Sequence, residues 1–246
     1  MSVEELAGAG LRYQDSFGEA SGAGAPIVFM HAGSGSSAMW ENQVPAFTGV
    51  GYRFIAYDRR AEGSAVDDLE ALAKHLVLDR FHLVGTAAGG IVAVDYALSH
   101  PERLITLVVA NSIVGIQDED YVEMSRRLRP APEFNALPPE VRELGPSYRA
   151  VNAEGTARWK ALAKEGHPSA QATRNRITFS SLEQIKTPTL LITGDADLYT
   201  PPSVLRLLAA RFPNCESLVI PECGHSAFWE QPEAFNRAVL DFISKR

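Results

Sequence analysis

A histidine oriented by a carboxylate can take a proton near neutral pH, and both residue types occur late in this chain in turns marked by glycine. His225 lies in Ile220-Pro221-Glu222-Cys223-Gly224-His225-Ser226. Asp195 and Asp197 lie in Leu191-Ile192-Thr193-Gly194-Asp195-Ala196-Asp197-Leu198-Tyr199-Thr200-Pro201, where Asp197 also reads as a helix cap before Pro201. Two segments of small residues come earlier. His31-Ala32-Gly33-Ser34-Gly35-Ser36-Ser37-Ala38-Met39-Trp40 follows an apolar run, and Val84-Gly85-Thr86-Ala87-Ala88-Gly89-Gly90 joins a strand to a helix. Small residues let a backbone approach a substrate closely. Residue 87 is alanine, so no hydroxyl, thiol or carboxylate can be delivered at the centre of that turn.

Short apolar runs and amphipathic stretches alternate around these segments. Strands are expected at Ile27 to Met30, Arg53 to Tyr57, Phe81 to Val84, Leu104 to Val109, Leu190 to Ile192 and Glu216 to Ile220. Helices are expected at Val66 to Leu78, with Leu69, Leu72, Ala73 and Leu76 at helical spacing, and at Gly89 to Ser99, Pro201 to Arg211 and Glu233 to Ile243. Ala20 to Ala25 reads as a turn between two early strands. Strands apolar on both faces and separated by helices imply an α/β fold with a mainly parallel sheet covered on both sides. Residues 113–180 break the alternation. They hold no convincing buried strand, are rich in Arg, Glu and Pro, and carry helical stretches at Tyr121 to Leu128 and Gly155 to Lys164. The expected organisation is a core of residues 1–112 and 181–246, with residues 113–180 as a helical cap over the strand ends, where open α/β sheets bind ligands.

The chain has 246 residues, about one sizeable domain, of which 46% are hydrophobic and 22% charged. The net charge of -7 argues against a nucleic-acid partner, which needs clustered Lys and Arg. Cys215 and Cys223 are too few for a disulfide framework and lack metal-ligand spacing, so a reducing cytoplasm without metal or other cofactor is expected. The acidic start shows no signal peptide, and no apolar stretch approaches the ~20 residues that span a bilayer.

Taken in order, the four small-residue and loop segments resemble the α/β-hydrolase superfamily over most of the chain. The resemblance implies a cap-bearing hydrolase of small molecules. It identifies Val84 to Gly90 as the nucleophile elbow, with Ala87 at the nucleophile position. It makes His225 the base, Asp197 its orienter, and the amides of Gly33 and Ala88 an oxyanion hole. His31 is then structural. The family's Asp-x-Arg-Gly-x-Gly-x-Ser loop is altered here to Asp58-Arg59-Arg60-Ala61-Glu62-Gly63-Ser64-Ala65. An alanine introduced to trap a substrate would change residue 87 alone; several departures around one site favour natural divergence.

Three functions are open on this reading. The leading one is hydrolysis of an ester, enol-lactone or C–C ring-cleavage product by a water activated at His225. The second is cofactor-free lyase or dioxygenase chemistry on the same base. The third is small-molecule binding without turnover. Trp40, Tyr121, Tyr148, Trp159 and Trp229 are candidate aromatic contacts to substrate. A homodimer is left open by the sequence, which does not give the oligomeric state.

Overall fold

The computed structural model describes residues 3–6, 10–17, 24–33, 35–166 and 171–246. Most of the expected turn at Ala20 to Ala25 lies outside the described residues. Eight strands form one sheet: β1 (Val3–Leu6), β2 (Leu11–Asp15), β3 (Pro26–Met30), β4 (Arg53–Tyr57), β5 (Phe81–Thr86), β6 (Leu104–Ala110), β7 (Thr189–Gly194) and β8 (Cys215–Ile220). Their spatial order is β1-β2-β4-β3-β5-β6-β7-β8. From β4 to β8 every pairing is parallel. The pairs β1–β2 and β2–β4 are antiparallel and make a hairpin edge.

This order opens a crevice at one end of the sheet. The chain passes from β3 to β4 on one side, then returns to β5 on the other side of β3. Loops leaving β3 and β5 therefore diverge and open a gap at the carboxyl ends of these two strands, the switch point of an open α/β sheet. The segments His31 to Trp40 and Ala87 to Gly90 leave the sheet there.

Helices α1 (Val44–Thr48), α2 (Ala65–His75) and α3 (Ala88–Ser99) fall among the first six strands. Between β6 and β7 the described residues form only helices: α4 (Glu119–Leu128), α5 (Glu133–Ala136), α6 (Pro139–Glu143), α7 (Pro146–Val151), α8 (Ala153–Glu165) and α9 (Phe179–Leu182). Then follow α10 (Pro202–Ala209), α11 (Ala227–Glu230) and α12 (Pro232–Ile243).

Successive strand residues point to opposite faces, and the core divides accordingly. Val28, Met30, Ile55, Leu83 and Val109 pack on the face covered by α2, α3 and α10, through Leu69, Leu72, Ala93, Tyr96 and Leu208. Ile27, Phe29, Phe54, Val84 and Val108 pack on the other face against Trp40, Phe47, Phe228, Phe235 and Val239. Burying each such large apolar side chain stabilises the fold by about 1.5–3 kcal/mol. Helix α2 starts where the Ser64 hydroxyl accepts from the Asp67 amide, and its acidic Asp67 and Asp68 lie at the positive end of the helix dipole. Cys215 and Cys223 are both free thiols, and burial raises both, Cys215 to about 11. No described helix is long and apolar enough to cross a membrane.

Candidate active site

The turn between β5 and α3 is set by close backbone packing. A methyl on Gly85 would lie 2.5 Å from the Gly89 carbonyl oxygen, and one on Gly90 would lie 2.7 Å from Ser112 Cβ. A methyl on Gly89 would collide with the carbonyls of Met30 and His31. These glycines let α3 rise directly from the sheet beside β3. Ala87 sits at the apex with φ 49° and ψ -115°, a strained backbone for an L-residue that costs about 1–3 kcal/mol. Two hydrogen bonds pin the apex: its amide donates to Ala110 O at 3.0 Å, and its carbonyl accepts from Ser112 Oγ at 2.6 Å. Ala88 opens the helix, so its amide has no intrahelical acceptor. Gly33 lies opposite: a methyl there would touch Ala88 Cβ at 3.7 Å. Thr86 is fully buried, and its hydroxyl has no partner among the described residues.

The loops after β7 and β8 bring Asp197 and His225 together. His225 Nδ1 is 2.9 Å and 3.0 Å from the two Asp197 oxygens, and the two residues are 6% and 3% exposed. Asp197 Oδ1 also accepts the amides of Tyr199 (2.7 Å) and Thr200 (2.9 Å). Its Oδ2 lies 3.0 Å from both Asn111 Nδ2 and Thr193 Oγ1. Burial alone would raise this carboxyl; the charge and hydrogen bond of His225, with the Asn111 and Thr200 donors, outweigh it and bring Asp197 down to about 2. Burial would lower the His225 imidazole, but the Asp197 charge prevails and raises it. With Nδ1–H given to Asp197, Nε2 is the nitrogen left to accept a proton. Asp195 plays a different part: its Oδ1 accepts the Cys223 amide at 3.2 Å.

The loop carrying His225 is fixed by contacts on several sides. The His225 amide donates to Glu143 O at 2.8 Å, and Gly224 O accepts from Asn111 Nδ2 at 3.1 Å. The buried Glu230 carboxylate accepts the amides of Gly224 (3.0 Å), Ser226 (3.1 Å) and Gly145 (2.7 Å). Burial raises Glu230 by more than these amides lower it.

A cavity of about 200 Å³ opens over the elbow. Ala32 and Gly33 line it from the β3 loop, Ala87, Ala88 and Ile91 from the elbow and α3, and Asn111 and Ile113 from the end of β6. His225, Tyr199 and Glu143 complete the lining. The Tyr199 ring packs on the His225 imidazole with centroids 4.3 Å apart. Burial raises the Glu143 carboxyl; His225 opposes that shift and Asp197 adds to it. Sequence reasoning missed Asn111, Tyr199, Glu143 and Glu230 as parts of the site. Asn111 and Ser112 close an otherwise apolar strand with polar residues, a signal that was present. Glu143 is one of many charged residues in its segment and carried no signal. Among the described residues no group of His, Cys, Asp and Glu could hold a metal ion.

The five aromatics expected at the substrate do not line this cavity. Trp40 is fully buried against Phe29 and Phe228, with centroids 5.0 Å and 4.7 Å away. Trp159 is buried in the same core, Tyr148 packs on that core, and Trp229 Nε1 donates to Gly155 O at 3.3 Å. Tyr121 donates to Ile113 O at 3.2 Å and meets Phe179 edge-on. Large rings flanking a motif were claimed by the core because burying them there gains more than lining a small crevice. His31 is neutral scaffolding: burial and the Arg59 charge lower it to about 4, its Nδ1–H donates to Ala32 O at 2.6 Å, and Nε2 accepts the Arg59 amide at 3.0 Å.

The chain is similar to known proteins along nearly its whole length. It is 31% identical to a 2-hydroxy-6-oxononadienedioate/2-hydroxy-6-oxononatrienedioate hydrolase of Paraburkholderia phymatum, over 92% of this chain and 89% of that one. It is 25% identical to a 2-hydroxy-6-oxo-6-phenylhexa-2,4-dienoate hydrolase of Burkholderia cepacia, over 91% and 89%. Its structure superposes on a thermophilic esterase from Thermogutta terrifontis with a TM-score of 0.80 and 25% identity, covering 100% of this chain and 98% of that one. The family model for the alpha/beta hydrolase family matches residues 27–238. With the parallel sheet, the elbow at its switch point and that match in hand, the chain belongs to the alpha/beta hydrolase family and is an enzyme of that fold.

Proposed function

We propose that this chain hydrolyses a small carbonyl compound, an ester, an enol-lactone or a C–C ring-cleavage product, through a water activated at His225. The reading rests on one juxtaposition: a histidine held 2.9 Å from a buried carboxylate, facing a cavity whose apex residue, Ala87, has no nucleophilic atom. A water in that cavity gives a proton to His225 Nε2 while its oxygen bonds to the carbonyl carbon. The electron pair displaced onto the carbonyl oxygen is met by the amides of Gly33 and Ala88. Collapse breaks the bond to the leaving group, which takes the proton back from His225. Asp197 keeps the imidazole in the right tautomer and stabilises its charged form. Binding and oxyanion stabilisation without a covalent nucleophile are still worth ~10³–10⁴ over water in a well-studied triad. The helices of residues 113–180 act as the cap that excludes bulk water, with Glu143 reaching into the cavity.

The names of the Paraburkholderia and Burkholderia relatives, hydrolases of dienoate-type compounds, support the hydrolytic reading. A panel of activated esters tests it, using the natural chain and Ala87→Ser. The natural chain is expected to turn them over with linear time courses. The serine variant is expected to show an initial burst of about one product per site, because an acyl-enzyme then accumulates. No hydrolysis by the natural chain would overturn the reading. Oxygen uptake or retro-addition with an enolisable substrate in its place would assign the same His225 base to lyase or dioxygenase chemistry.

A further inference from the structure

The two edges of the sheet meet solvent differently. β1 is four residues long and carries adjacent exposed acids, Glu4 and Glu5. Charges of this kind keep an open edge from pairing with another chain. β8 is six residues long and pairs only with β7, in a regular register from Cys215 to Ile220. Glu216 is its single charged residue, and Arg246 and Lys245 meet that charge at 3.2 Å and 4.0 Å. Leu218, at its middle, is 37% exposed. The Asn214 and Ile220 carbonyls accept from the amides of Thr189 and Asp195, on the β7 side. Backbone groups alternate in direction along a strand. Cys215, Ser217 and Val219 therefore turn their N–H and C=O groups outward, where no strand lies among the described residues.

An open groove runs from Leu218 and Ile220 to α12, where Ala234 and Ala238 leave room between Arg237 and Asp241. These two exposed, opposite charges sit one turn apart on α12, and neither forms an ion pair among the described residues. We propose that β8 pairs antiparallel with β8 of a second copy of this chain, so that one sheet runs through a twofold dimer. The outward groups set the register. Ser217 exchanges both hydrogen bonds with Val219 of the second copy, and the twofold axis passes between the two Leu218 residues, which meet as a close non-hydrogen-bonded pair. Pro221, without an N–H, ends the ladder. Glu216 lies across from Ile220 of the second copy, its charge kept by Arg246. The same rotation sets α12 antiparallel to its copy. A twofold interface is self-complementary, so each Arg237 faces an Asp241. This pairing of opposite charges under one axis favours a second copy over an unrelated partner. The proposal is independent of the chemistry at His225.

Sedimentation velocity at ~50 μM protein and neutral pH tests it, a concentration at which a micromolar dimer is well populated. The natural chain is expected to sediment with twice the mass of one chain. Leu218→Glu puts like charges face to face on the axis and should weaken the dimer by at least ~30-fold. Because Leu218 is partly exposed, the fold should survive, with an unchanged far-UV circular dichroism spectrum. Arg237→Asp should weaken the dimer about tenfold, and adding Asp241→Arg should restore it to within about threefold. Amide exchange at Ser217 and Val219 should slow about tenfold as the protein is concentrated, while Leu218 and Ile220, bonded to β7, keep their rates. A monomeric natural chain would leave the edge to some other partner and overturn the proposal. So would a dimer indifferent to Leu218→Glu, or a charge exchange that fails to recover what Arg237→Asp loses.

Discussion

Two buried histidines follow parallel strands of the same sheet, and their surroundings give them opposite characters. His31 follows β3; burial and the Arg59 charge lower it to about 4, outweighing the Ala32 carbonyl and the Asp58 carboxylate. His225 follows β8 and faces Asp197, which raises it against the effect of burial. The first spends both ring nitrogens on backbone groups of its own neighbourhood. The second gives one nitrogen to a carboxylate and keeps the other for the cavity. Equal burial therefore says little about function; the sign of the adjacent charge decides whether an imidazole is a strut or a base.

The contrast breaks first if His225 is dispensable. His225→Ala is expected to lower ester turnover by ~10²–10⁴-fold. The fold should survive, because Asp197 keeps four other donors. Steady-state rates and thermal unfolding of one preparation would show whether activity falls while stability holds. His31→Ala should do the reverse. It strands the buried Arg59 amide and leaves a void, at a cost of about 3 kcal/mol read from the urea midpoint. Stability unchanged within ~0.5 kcal/mol would mean that His31 braces nothing.

The smallest effect is in the pH dependence. Unfolded His31 takes up a proton near 6.5, whereas the folded residue resists until about 4. Its contribution is therefore fully present above 6.5 and is lost as pH falls towards 4. The stability advantage of the natural chain over His31→Gln should shrink by roughly 1 kcal/mol per pH unit across that window. An advantage that widens on acidification would show that folded His31 is charged. Asp197 has the depressed shift of a carboxylate, so its contribution is fully present above its ordinary value of 3.8 and is lost as pH falls towards about 2.

Much of the fold was legible because strands β3 to β7 are apolar on both faces and helices α2, α10 and α12 are amphipathic. The hairpin β1–β2 was not placed, since Leu11-Arg12-Tyr13-Gln14-Asp15, one strand in from the sheet edge, alternates and lacks the continuous apolar run of a central strand. At the site, Ala87 and the glycines around it could be read directly, because a strained turn admits few residue types. Asp197 and His225 are 28 positions apart, and no spacing rule joins them; family likeness alone suggested the pair. Glu143, Tyr199 and Glu230 reach the site through tertiary packing of loops, which leaves no periodic trace. The aromatics misled for the same reason: proximity to a motif along the chain does not specify which side of a loop a ring occupies.

Glu230 holds amides from both sides of one seam: Gly224 and Ser226 beside the imidazole, and Gly145 between α6 and α7. The helical roof and the proton acceptor therefore share a single latch. Any excursion of the roof at residue 145 strips a buried carboxylate of a donor and loosens the loop that aims His225. If His225 is the base proposed above, a displacement of residue 145 would misalign it without touching the ring itself.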